Sequence, residues 1–333
     1  MNDNLEFQAR FVAQLKSVFP PNISLAEELS DLLEVSTDSI YRRLRCQSSF
    51  TFDEIAIISQ KFGVSLDGLL SQNSLQVSFT FNPMYSELMN FENYFRFFSH
   101  YLKELSTHKG VRILYAGEDV PVFRHFKFSN LSAFKYFYWN KAILNDKNLT
   151  GKKFNAGYVS PEIIEMNKQT YNTYRQIDRT EIWSQETLSS TLIQIEFFWE
   201  SGLFETKEQA LSVTGDIRMM MAELHADCDT DSQSSMGTTG DFVLYNSEIF
   251  IGNNCVLIEP GESKMNAHVF LGYNTFSSIS TYNAAFSSET RQWMDNLMKK
   301  SILLSGSAEK QRSKFFNRME DQILALEKKI LAS

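Results

Sequence analysis

Cysteine is scarce in this sequence: Cys46, Cys228 and Cys255 are the only three among 333 residues. The number is odd and no CxxC spacing occurs, which excludes a disulfide framework and a zinc ribbon and leaves reduced thiols. The five histidines, His100, His108, His125, His225 and His268, are dispersed. No HExxH, GxSxG, GxGxxG or phosphate-loop lysine motif occurs, so no catalytic residue, metal ligand or cofactor is nominated and the chain reads as a non-enzyme. No apolar run approaches the roughly 18 to 20 residues of a membrane span, and "MNDNLEFQAR" lacks the basic-then-apolar order of a signal peptide. The expectation is therefore a cytoplasmic protein with no membrane partner.

Positive charge is the minority sign, 32 basic against 40 acidic side chains, for a net charge of −8. This argues against a protein that coats nucleic acid nonspecifically, because such affinity comes from many phosphate contacts. It leaves room for a small basic reading head. Residues 1–73 hold six basic and ten acidic side chains, and three of the six, Arg42, Arg43 and Arg45, fall within four positions.

What is present is ordinary globular composition, 43% hydrophobic and 22% charged, over a length that suggests two or three domains. Residues 5–18 carry Phe11, Leu15 and Val18, with Val12 and Phe19 alongside, at helical spacing, and "FPPN" stops that helix. Ser24 caps a short helix with Leu25, Leu29, Leu32 and Leu33 on one face. A third follows from Ser36 or Thr37, with Ile40 and Leu44 inward. A fourth carries Ile55, Ile58 and Phe62 up to Gly63, and a fifth begins at Ser65 with Leu66, Leu69 and Leu70 buried. The tight second-to-third turn makes this bundle a helix-turn-helix. The expected organisation is an all-α domain over 1–73, a linker over 74–80 that overlaps the polar "SQNSLQVS" at 71–78, and a larger α+β domain over 81–333.

In that second region aromatic residues cluster. Phe91, Tyr94, Phe95, Phe98, Tyr101 and Leu102 share one helical side, as do Leu131, Phe134, Tyr138 and Ala142, and "VRILYAG" between them reads as a buried strand. These faces either pack a core or line an apolar effector pocket. Helices are expected over 185–200 and 206–225, then the loop "ADCDTDSQSSMGTTG". An antiparallel meander of "DFVLY", "EIFI", "CVLIE", "AHVFLGY" and "SSISTY" follows, then helices over 287–304 and 308–331. The last spaces Phe316, Met319, Ile323, Leu326 and Ile330 as a short coiled-coil seam, which serves either a homodimer or packing on its own domain.

The step from "LSDLLEVSTDSIYRRLR" into "FTFDEIAIISQKFGVSLDGLL" resembles the phage-repressor-like, XRE-type helix-turn-helix family over residues 5–72. The family's small residue falls on Ser30, its turn hydrophobe on Val35 and its buried recognition-helix position on Ile40. Glu34 stands where the family usually has glycine. The resemblance implies sequence-specific binding of double-stranded DNA by a recognition helix lying in the major groove. Thr37, Asp38, Ser39, Tyr41 and Arg42 are placed for base edges, and Ser36, Arg43 and Arg45 for phosphates.

Two weaker signals remain. "ELHADCDTD" gathers Glu223, His225, Asp227, Cys228, Asp229 and Asp231, yet a calcium loop starting at Asp227 would need glycine at Ser232 and glutamate at Thr238. It reads as an acidic helix end running into a solvated loop. Ser305, Gly306 and Ser307 precede a helix with Lys310 nearby, an arrangement that suits either an anion or a serine-capped turn. The combined expectation is a transcriptional regulator with a sensing or dimerising second domain. The alternative is an enzyme or ligand-binding protein with an accessory helix-turn-helix.

Overall fold

Apolar residues three and four apart build helix α1 (Asp3–Val18), which buries Phe11, Val12 and Leu15. The computed structural model describes residues 3–18, 24–64, 66, 69, 77–81, 91–229, 240–262, 266–274 and 277–332. The chain divides into two units, Met1–Thr80 with Thr281–Phe286, and Phe81–Ser280 with Ser287–Ser333.

In the first unit, helix α2 (Leu25–Leu33) starts at Ser24, whose side chain accepts the Glu27 N–H. Helix α3 (Thr37–Leu44) starts at Ser36, which accepts the Ser39 N–H. Helix α4 (Phe52–Phe62) opens on a capping box in which Thr51 and Glu54 bond reciprocally, and it stops at Gly63 in the left-handed conformation, φ 68°. Leu29, Ile40, Phe50, Ile58 and Val64 join α1 in one apolar core. Leu66 and Leu69 lie in helical conformation with Leu69 buried, while Ser65 and Leu70 of the expected fifth helix lie outside the described residues. So do Phe19, residues 74–76 of the expected linker and residues 230–239 of the expected loop.

The second unit is mixed α and β. Its sheet contains β1 (Thr80–Phe81), β2 (Val111–Ala116), β3 (Asp178–Trp183), β4 (Phe242–Asn246), β5 (Cys255–Pro260), β6 (His268–Tyr273), β7 (Ser277–Thr281) and β8 (Ile302–Leu303). Their order is β1-β7-β6-β5-β2-β3-β4-β8. The helices are α5 (Phe91–Leu105), α6 (Val122–His125), α7 (Ser129–Tyr138), α8 (Pro161–Gln176), α9 (Ser189–Glu200), α10 (Lys207–Asp229), α11 (Ala284–Lys299) and α12 (Glu309–Ala332).

The α+β expectation holds, and the sheet is mixed rather than wholly antiparallel. Strands β2, β3 and β4 run parallel, with helices α6 to α8 and then α9 and α10 in the crossovers that parallel neighbours require. Strand β5 runs antiparallel to both β2 and β6. "EIFI", residues 248–251, is not a strand: β4 and β5 are separated by β3 and β2, so the chain crosses the sheet there instead of turning back in a hairpin. Strand β3 escaped the sequence reading because it is polar. Glu181 is fully buried in it, accepting from Arg124 Nε at 2.8 Å, Tyr174 Oη at 2.7 Å and Trp183 Nε1 at 2.9 Å.

Three further differences have local causes. Ala142 is exposed because α7 runs into a π turn over Trp139–Ile143 that resets the helical phase, and Trp139, at the start of that turn, is buried. Residues 226–229 are the last turn of α10, not loop. The seam of α12 is closed within its own unit: Met319, Ile323, Leu326 and Ile330 are buried in the core with residues of α9 and α10. That face is therefore not free to pair with a second copy.

Candidate nucleic-acid interface

Helix α3 is presented by a turn that the sequence makes with an unusual residue. Glu34 caps α2 at φ 53°, ψ 39°, the left-handed region where glycine is favoured. Ser30 compensates: its hydroxyl donates to the Val35 carbonyl at 2.6 Å, and its carbonyl accepts the Val35 N–H at 3.2 Å. Thr37 Oγ1 donates to Ser30 Oγ at 3.4 Å, tying the start of α3 to α2.

Two residues fix the other end of α3. Buried Gln8 donates from Nε2 to the carbonyls of Arg43 and Ser48, both at 2.8 Å, and accepts the Phe50 N–H at 3.0 Å. Arg43 donates to Glu54 Oε1 at 2.9 Å and to Ser39 Oγ at 2.5 Å, with its guanidinium over the Phe50 ring. Gln8 carried no local signal. Glu54 did, since T-x-x-E over 51–54 is a capping-box spacing.

With Ile40 buried and Leu44 packed on the core, Asp38, Tyr41, Arg42 and Arg45 stand exposed on α3, and Ser36 at its cap is exposed as well. Thr37 and Ser39 are partly buried. Arg42 bridges Asp38 one turn back at 2.9 Å, both side chains largely in solvent, and Arg45 lies 5.7 Å from the Tyr41 ring centroid. An exposed pair of this kind contributes at most about 1 kcal/mol, so Arg42 is readily exchanged to another acceptor. Arg43 differs from its expected phosphate role. It is held by Glu54 and Ser39 inside the unit, with 15% of its side chain exposed, and acts as a brace.

A family model of the BetR domain matches residues 2–93. The BetR domain is a helix-turn-helix-type domain of transcriptional regulators, so the match points to DNA binding and regulation for this segment. It covers α1 to α4 and the whole interface just described. Neither a curated protein nor a solved structure gives a match to the chain.

The other candidate positions lie in the second unit. The Gly306 N–H donates to the Cys228 carbonyl at 2.9 Å, its carbonyl takes Arg312 Nη1 at 2.6 Å, and Ser305 Oγ accepts the Leu244 N–H at 2.9 Å. Ser307 and Lys310 are exposed. Of the four positions, the Gly306 N–H and Ser305 Oγ are engaged within the fold, and the segment forms the turn that leads into α12. In the acidic stretch, Glu223 meets Lys127 and Arg175, Asp227 meets Arg175 at 2.5 Å, and Asp229 meets Arg312. Among the described residues, no group of three His, Cys, Asp or Glu side chains is disposed to hold a metal.

Proposed function

We propose that the chain is a sequence-specific transcriptional regulator of the phage-repressor-like, XRE kind, acting on double-stranded DNA in the cytoplasm, with no enzymatic role. The second unit senses a small-molecule effector, dimerises, or both. The observation that carries this reading is the two-sided character of α3: Ile40 is sealed in the core while Arg42, Arg45 and Tyr41 stand outward behind a helix N-terminus. A helix so presented fits the major groove.

Within it, Thr37, Asp38, Ser39, Tyr41 and Arg42 read base edges, with Arg42 exchanging Asp38 for a guanine. Ser36 and Arg45 contact phosphate, and Arg43 keeps α3 at its angle. Two copies would address half-sites about 34 Å apart, through a surface other than the α12 seam.

Binding of the full chain to its own promoter fragment, titrated with salt, tests the assignment. Arg42→Ala is expected to weaken specific binding about 10-fold to 100-fold and leave nonspecific binding nearly intact. Arg45→Ala should weaken both and lower the slope of log affinity against log salt by about one. Parental affinity and sequence preference in both variants would overturn it.

A further inference from the structure

The second unit encloses a cavity of about 390 Å³ between α5, the β2–α6 segment, the end of α7 and strands β5 to β7. Its walls are aromatic, with Phe95, Phe98, Tyr115, Phe123, Trp139 and Phe270 among them. Volume and lining suit a small ring-bearing molecule.

Two polar groups in this wall are left in a condition that protein interiors rarely tolerate. Lys135, 4% exposed, donates to Thr191 Oγ1 and Gln194 Oε1, both at 2.8 Å, neither of them a carboxylate. Burial lowers its ammonium to about 8, against a partial offset from Asp119 beyond ion-pair reach. At neutral pH it is still mostly charged. His125, 3% exposed, lines the same cavity with neither ring nitrogen hydrogen-bonded. Burial, with Lys135 adding to it, drives that ring strongly toward its neutral form, which carries one N–H. A buried cation with only a distant counter-charge, Asp119, and a buried imidazole without a hydrogen-bond partner each cost free energy that a bound anion would recover.

The acidic residues of the wall do not supply that anion. Glu118 is exposed, and the Asp119 carboxylate accepts from Asn254 Nδ2 at 3.2 Å. Trp139 follows Lys135 by four residues, so the helical spacing of α7 sets both on one face, with the Trp139 ring centroid 5.7 Å from Lys135 Nζ, and an aromatic face and an ammonium meet at the cavity.

We infer that this cavity binds an aromatic carboxylate, its carboxyl group on the Lys135 ammonium and the His125 N–H and its ring among the aromatic side chains. The inference deepens the sensing half of the proposed function. It is tested by binding alone, so a chain that binds DNA but takes up no acid defeats only this inference, and failure of DNA binding leaves it standing.

Titration calorimetry on the full chain with 2-naphthoic acid, 2-naphthalenemethanol and 2-naphthylmethylamine separates the carboxylate from the ring. The acid is expected to bind at least about tenfold more tightly than either neutral or cationic analogue, a difference of about 1.4 kcal/mol. Lys135→Met should bring the acid to the affinity of the alcohol and leave the alcohol unchanged. If that variant fails to fold, the acid-to-alcohol ratio in the unaltered chain decides the matter. Equal affinities for acid and alcohol, preference for the amine, or no binding of the acid at roughly 1 mM would each overturn the inference.

Discussion

At the scale of single residues, Glu34 shows how a helix-turn-helix can be closed without glycine. The left-handed conformation costs a side-chain-bearing residue about 1 to 2 kcal/mol, and the Ser30 bonds to Val35 and Thr37 hold the turn against that cost. Glu34→Gly removes the strain but adds about 0.5 to 1 kcal/mol of chain entropy to be lost on folding. The expected net effect is stabilisation by about 0.5 to 1 kcal/mol. Because α3 is anchored by that turn, the Ile40 amide should exchange with solvent roughly twofold to fivefold more slowly in the variant. Exchange as fast as in the parent would mean that Glu34 is not strained or that the substituted glycine loosens the turn.

At the scale of elements, the α12 seam shows what a periodic pattern can and cannot tell. Spacing alone allows a dimer contact or an internal one, and burial decides for the internal one: Ile323 is fully enclosed between neighbouring helices of its own unit. Ile323→Ala is therefore expected to destabilise the second unit by about 2 to 5 kcal/mol while the folded chain keeps its parental elution volume in size-exclusion chromatography. Unchanged stability with a lower apparent mass would return the seam to a dimer role. The same distinction governs what could be read in advance. Ser24, Ser36 and Gly63 punctuate helices through bonds within a few residues, so they were legible. Gln8 acts across 35 to 42 residues on Arg43, Ser48 and Phe50, and the parallel partner of β4 lies some sixty residues away, so neither leaves a local trace. The π turn at Trp139 is legible only as a failure of the 3.6-residue period at Ala142.

At the scale of the whole molecule, burial of ionisable groups sets how stability responds to pH. Burial lowers His268 to about 3, with Tyr101 Oη at 2.9 Å from its Nδ1, and drives His125 down as well. From about 6.5 downward the unfolded chain takes up protons that the folded chain refuses, so acid favours unfolding. The loss begins near 6.5 and continues to about 3 for His268, at about 1.4 kcal/mol per pH unit. Lys135 acts on the other side: the folded form sheds its proton near 8 whereas the unfolded form keeps it to about 10.4, so stability gains as pH rises through that window. Both effects push the stability optimum toward alkali. His268→Gln keeps a polar partner for Tyr101 and removes one titrating group, so it isolates the effect from the carboxylates common to both chains. Between pH 6.5 and 5 the parent should lose about 2 kcal/mol more than the variant in denaturant titrations. Equal losses would mean that His268 is protonated in the folded chain, and that water reaches its ring between α5 and β6.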